Sequence, residues 1–192
     1  LLIRALGTCA FILLSLVLCI GPLVRLDRRF VPLLYNRRHF GVITCAVSAA
    51  HLMAVIDWYL AFSPLDPWVA LFAVDSRFEA LRGFPYVPFG IAAFVILLLL
   101  ASTSHDFWLN FLTPPVWKAL HMSIYGAYGL VVAHVAFGAL QDARGAALPA
   151  LIGGSALIVL SLHLVAGWKE RQREAPDKAD TRDAPWVTVG PV

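Results

Sequence analysis

The chain has 192 residues, 60% of them hydrophobic and 14% charged, with a mean hydropathy of +0.77. A soluble domain carries about a quarter charged residues, and the apolar residues here gather in blocks of the length a helix needs to cross a bilayer. A soluble enzyme, a disordered tail and a disulfide-rich secreted module are excluded, and with a net charge of only +3 the placement of Lys and Arg matters more than their sum.

The first apolar run, about Ile3 to Leu23, is longer than the apolar stretch of a signal peptide. It lacks a small-residue cleavage site and runs through Gly21-Pro22 into arginines, so it is predicted to span the membrane. The second span is predicted over about Gly41 to Phe62 and the third over Val87 to Ser102, where Pro85 and Pro88 suit a helix start. The fourth runs from about Val116 to Leu140 and the fifth from Leu148 to Trp168. The fold class is therefore all-α, a polytopic membrane helix bundle of five transmembrane helices.

Between spans two and three, Ser63 to Tyr86 holds Trp68, Phe72, Phe78, Phe84 and Tyr86. It reads as a short amphipathic helix on the outer interface, with a quinone or partner surface as the other reading. After Trp168 the composition turns to KERQREAPDKADTRDAP, charged and without an apolar face, so residues 169–185 are expected to be a cytoplasmic linker. Trp186 to Val192 alternates like the start of a strand. The expected organisation is a transmembrane domain over 1–168, the linker, and the start of another module over 186–192. The chain begins at Leu1 without Met and reads as part of something longer. There is no internal repeat and no GxGxxG or GxxxxGK[ST] motif, and nothing points to nucleic acid. Cys9, Cys19 and Cys45 sit in apolar runs with no CxxC or CxxCH, and are read as buried thiols.

Loop charge sets the orientation. Arg25 to His39 carries five Lys or Arg, Lys118 adds one, and the stretch after Trp168 adds five; the other side holds Arg4, Arg77, Arg82 and Arg144. Eleven against four places the first set in the cytoplasm, the N-terminus outside and the C-terminus inside. Spans two and four are then parallel.

Six histidines in so apolar a chain need an explanation. An ionisable side chain deep in a span marks a functional site, and a neutral imidazole binds iron without bringing charge into the bilayer. His51 lies in mid-span two; His121 and His134 lie on span four, 13 residues and about 20 Å of rise apart. Depth pairs His51 with His134 as an outer site, and His39 with His121 as an inner one. At about 100° per residue, separations of 12 and 13 leave the two side chains of each helix more than 100° apart, so tilt or distortion must turn them into the bundle. His163 is the substitute inner ligand, and His105 is read as an interfacial partner of Asp106. The cluster of Arg25, Arg28, Arg29, Arg37, Arg38 and Lys118 suits haem propionates, with Arg37, Arg38 and Lys118 the nearest to the inner site; the positive-inside rule alone also accounts for it. Gly126 and Gly129 would admit a flat macrocycle or a close helix.

The run Leu33-Leu34-Tyr35-Asn36-Arg37-Arg38-His39-Phe40-Gly41 with His51, and Trp117-Lys118-Ala119-Leu120-His121 with His134, resembles the ferric reductase-like transmembrane domain. The likeness runs from about Ile3 to Trp168, and is strongest to the haem-binding membrane subunits of bacterial periplasmic methionine sulfoxide reductase systems. It implies haem b, a quinol-linked electron path, a bacterial inner-membrane location and ligand roles for His51, His121 and His134. Ligation by His39 rests on depth alone. Family members commonly have another helix ahead of the first span, and the flavin and nicotinamide domain of true ferric reductases and NADPH oxidases is not in the chain. Pro185 to Val192 resembles the first strand of a Rieske-type iron-sulfur domain.

The expected function is an electron-transfer subunit of an oxidoreductase system, holding two b haems and working between a quinone pool and a redox partner protein or iron-sulfur domain, with membrane lipid around it. Two other readings are a structural or assembly subunit of a larger membrane complex, and a ferric or other metal reductase served by a separate flavoprotein.

Overall fold

The computed structural model describes residues 1–62, 66, 69, 85–143 and 145–183. Helix α1 is Leu2–Leu26. A 3₁₀ turn, Arg28–Phe30, leads into α2, Val31–Phe62. Then come α3, Val87–Ser102; α4, Asp106–Phe111; α5, Pro114–Met122; α6, Ile124–Phe137; and α7, Ala147–Asp183. There is no strand among the described residues. Nearly all of the outer loop Ser63 to Tyr86, and all of Trp186 to Val192, lie outside the described residues, so the expected amphipathic helix and strand do too.

Four helical stretches are long and apolar enough to cross a membrane: α1, α2 with its 3₁₀ turn, α5 with α6, and α7. Helix α3 is apolar all round but has 16 residues, about 24 Å of rise, slightly less than a hydrocarbon core. It packs against α2 and α6 as the fifth member of the bundle. At its end Ser104 Oγ donates at 2.6 Å to the Leu100 carbonyl, whose i+4 N–H has turned to Ala101, while the Leu99 carbonyl accepts from both Thr103 N–H and Thr103 Oγ1, at 3.1 and 2.7 Å.

Helix α1 is the central one. It packs against α2, α6 and α7, and contributes Phe11, Leu14 and Leu18, each no more than 2% exposed. Leu14 meets Leu97 of α3 and Ala127 of α6, while Leu18 meets Val159 of α7. The outward faces remain apolar, with Leu98, Leu157, Leu160 and Leu164 exposed, as lipid in place of water allows.

Three boundaries differ from expectation. Helix α2 starts ten residues before Gly41, because Pro32 falls in its first turn, where a missing N–H costs nothing. Arg37, Arg38 and His39 are therefore helical. The fourth span breaks at Ser123, where N–H and Oγ both bond the Leu120 carbonyl, at 3.1 and 2.7 Å. Helix α7 continues past Trp168 to Asp183, so the backbone of the predicted linker is helical over most of its length. The cysteines divide: Cys19 and Cys45 are buried, but Cys9 is exposed on α1.

Candidate functional site

At the end of the bundle where α1 begins, two histidines are held alike. His51 Nδ1 bonds the Ile3 carbonyl of α1 at 2.9 Å, and His134 Nδ1 bonds the Tyr86 carbonyl ahead of α3, also at 2.9 Å. A carbonyl only accepts, so in each ring Nδ1 carries the proton and Nε2 keeps its lone pair. Neither Nε2 has a hydrogen-bond partner among the described residues.

Each ring also meets a glycine one helical turn beyond the carbonyl that orients it. A Cβ on Gly7 would lie 3.1 Å from His51 Cε1, and one on Gly90 only 2.7 Å from His134 Nδ1. These helix surfaces are notched where the imidazoles press in. Tyr86 flanks His134 with ring centroids 5.4 Å apart. The glycines expected to matter, Gly126 and Gly129, have nothing within 4 Å of where a Cβ would stand. A glycine in an apolar run reads the same whether it faces a ring or lipid.

Toward the other end lies a cavity of about 400 Å³ among α1, α2, α3, α5 and α6. His121 lines it, with Arg37, Arg38, Lys118, Thr44 and Tyr125. His121 Nδ1 bonds the Trp117 carbonyl at 3.1 Å, and the Trp117 indole stacks on the ring with centroids 3.9 Å apart. Trp117 is itself fixed by its Nε1–H to the Thr103 carbonyl at 3.2 Å. His121 thus presents Nε2 like the outer pair, beside three cations fit for carboxylates. Arg38 also pairs with Asp106, whose hydrogen bond to the guanidinium, and then the charge itself, holds its carboxyl below the usual carboxylate range.

His39 is not brought to His121. It is exposed, and α2 supplies Leu34, Arg37, Arg38, Gly41 and Thr44 to the cavity instead. The reason is angular: His39 is 12 residues from His51 and about 120° round a continuous helix, whereas Arg37, at 14 residues, is nearly four whole turns away. His163 sits against Tyr125, but its Nδ1 bonds the Val159 carbonyl at 2.8 Å and its Nε2 accepts from Tyr125 Oη at 3.0 Å. Both its nitrogens are engaged. His105 has the opposite tautomer, its Nδ1 accepting from Phe107 N–H at 3.2 Å as the N-cap of α4; Asp106, its expected partner, is paired to Arg38.

The donor set fits haem. His51, His134 and His121 each have an oriented ring with an available Nε2, the second-sphere arrangement of iron-ligating histidines. No three His, Cys, Asp or Glu side chains cluster to hold a bare metal ion among the described residues. Sequence reasoning missed Gly7, Gly90, Thr44 and the Trp117 stack. Of these, Thr44, seven residues before His51, and Trp117, four before His121, carried a readable signal, each lying on the face of its histidine.

The family model described as "Ferric reductase like transmembrane component" matches residues 6–132, which include His51 and His121 and end two residues before His134. The chain is similar to the protein-methionine-sulfoxide reductase heme-binding subunit MsrQ of Bordetella pertussis, at 30% identity over 174 residues, 91% of this chain and 78% of that one. It is 29% identical to the subunit of the same name from Caulobacter vibrioides over 171 residues, 89% of this chain and 73% of that one. For Xanthomonas campestris pv. campestris the identity is 31% over 176 residues, 92% and 71% of the two chains. No solved structure matches it. The apolar helices and the bacterial relatives together make this a multi-pass protein of a bacterial inner membrane.

Proposed function

The chain belongs to the ferric reductase-like transmembrane family, and on that premise we propose that it is a membrane haem subunit carrying electrons between a quinone pool and a redox partner protein. The observation that carries this reading is the matched seating of His51 and His134, each with Nδ1 on a neighbouring helix's carbonyl, Nε2 open and a glycine notch behind the ring. A scaffold that had given up its haem would have no need of two such notches.

The outer pair takes one haem b between His51 and His134. A second is assigned to His121, with Arg37, Arg38 and Lys118 pairing its propionates. Bound at these sites, haem supplies a one-electron iron couple. The protein's part is to fix the ring tautomers, exclude water with lipid and core, and hold cations at the basic end, where they favour the more reduced, more negative state. The positive-inside count puts that end in the cytoplasm and the His51–His134 end outside.

A reduced-minus-oxidised spectrum of the purified chain tests this: the α-band of b-type haem is expected, and its absence from native protein would overturn the assignment. Stoichiometry by pyridine haemochrome should give two per chain. Reduction of the haem by an added quinol analogue, with no flavoprotein present, tests the quinone link and separates it from a metal reductase that needs a flavoprotein donor.

A further inference from the structure

At the basic end, away from every histidine site, a second cavity of about 480 Å³ opens between the last turn of α1 and α7. Arg25, Arg28, Lys169 and Arg173 line it against a single carboxylate among the described residues, Glu170. That carboxylate is engaged with Arg25 at 3.2 Å, and Lys169 donates to the Leu26 carbonyl at 3.1 Å, which ties the two helices together and fixes the cavity mouth. The next carboxylate along the chain, Asp27, is turned onto the Arg29 N–H at 2.9 Å and does not line the cavity. Arg28 and Arg173 have no ion-pair partner among the described residues.

The positive-inside rule accounts for cations at this end. It does not account for their convergence on one cavity whose only acid among the described residues is already paired. Charges of one sign brought together repel unless an anion sits among them. The floor is apolar, with Val24, Leu26 and the buried Ala166.

From this we infer that the cavity binds the phosphate of an anionic phospholipid from the adjoining leaflet. Arg28 and Arg173 donate to its oxygens, and Lys169 stands beside them. Guanidinium groups suit phosphate because their planar fork gives two parallel charge-assisted hydrogen bonds. A free phosphate would use the same donors; the cavity's place between the ends of two membrane-spanning stretches, and its apolar floor of Val24, Leu26 and Ala166, favour a lipid.

The test uses the full chain in detergent micelles. Native mass spectrometry and thermal unfolding are followed as phosphatidylglycerol, phosphatidylcholine or inorganic phosphate is added. Phosphatidylglycerol should be retained and raise the unfolding temperature, with little effect of phosphatidylcholine or phosphate. In Arg28→Gln/Arg173→Gln, which leaves the Arg25–Glu170 and Lys169–Leu26 links in place, affinity for phosphatidylglycerol should fall about tenfold or more, from about 1 kcal/mol for each basic residue. Should the double variant not fold, Arg173→Gln alone, on the exposed end of α7, should lose several-fold. Equal retention of phosphatidylcholine, equal stabilisation by inorganic phosphate, or wild-type affinity in the folded variants would each overturn the proposal.

Discussion

The His134 ring lies so close to Gly90 that a Cβ there would come within 2.7 Å of its Nδ1, the atom bonded to the Tyr86 carbonyl. His51 stands in the same relation to Gly7 at 3.1 Å, with Ile3 supplying the carbonyl. Helices α1 and α3 thus perform the same service for α2 and α6: one turn of each offers an acceptor, and the next turn is cut back to admit the ring.

Substituting the glycines grades this arrangement. Gly90→Ala cannot be accommodated without moving the His134 ring or the helix, and should remove most of the outer haem. Gly7→Ala needs only a few tenths of an ångström and should weaken it. Gly126→Ala, which meets open space, should leave haem content unchanged. Low-spin EPR intensity per chain is the measurement, and equal losses in all three would reject the notch as the cause.

The histidine assignments separate by replacement. His51→Ala and His134→Ala should abolish the same spectral species, and His121→Ala a different one. His39→Ala should abolish none, since His39 is exposed and outside the His121 cavity. If His51→Ala and His134→Ala lose different haems, the outer pairing is wrong.

Ala127 is fully buried where Leu14 and Leu97 meet it. Ala127→Leu therefore overpacks the junction of α1, α3 and α6, and should destabilise the bundle by about 1–3 kcal/mol, read as a lower unfolding temperature in detergent. An unchanged temperature would mean that the three helices are not closely packed there.

Acid should release α4 from α2. The Asp106 carboxyl is held below its ordinary range by hydrogen bonding to, and the charge of, Arg38. A depressed folded value means that the contribution is complete above the unfolded carboxylate value of about 4 and disappears as the pH falls through the lower, folded one. Hydrogen-exchange protection over residues 103–113, taken relative to the intrinsic rate at each pH, should be constant near neutral pH and fall only below the usual carboxylate range. Asp106→Asn should show the lower protection at every pH; a variant that keeps the wild-type acid transition would assign it to another group.

The amino-acid sequence by itself determined the spans, because in lipid a chain must satisfy its backbone within helices, and runs such as Val87 to Ser102 leave no other choice. It also determined depth, since a fixed rise per residue puts His51, His121 and His134 at set heights. Azimuth was decided only by the tertiary structure. On α2 the helix runs unbroken, so Arg37 rather than His39 shares the face of His51, while on the fourth span the break at Ser123 shifts the phase between His121 and His134. Which glycine abuts a ring, which carbonyl fixes a tautomer and which Arg is already paired are relations between helices far apart in the chain. A helical period carries no record of them, because it describes each helix against itself and not against its neighbours.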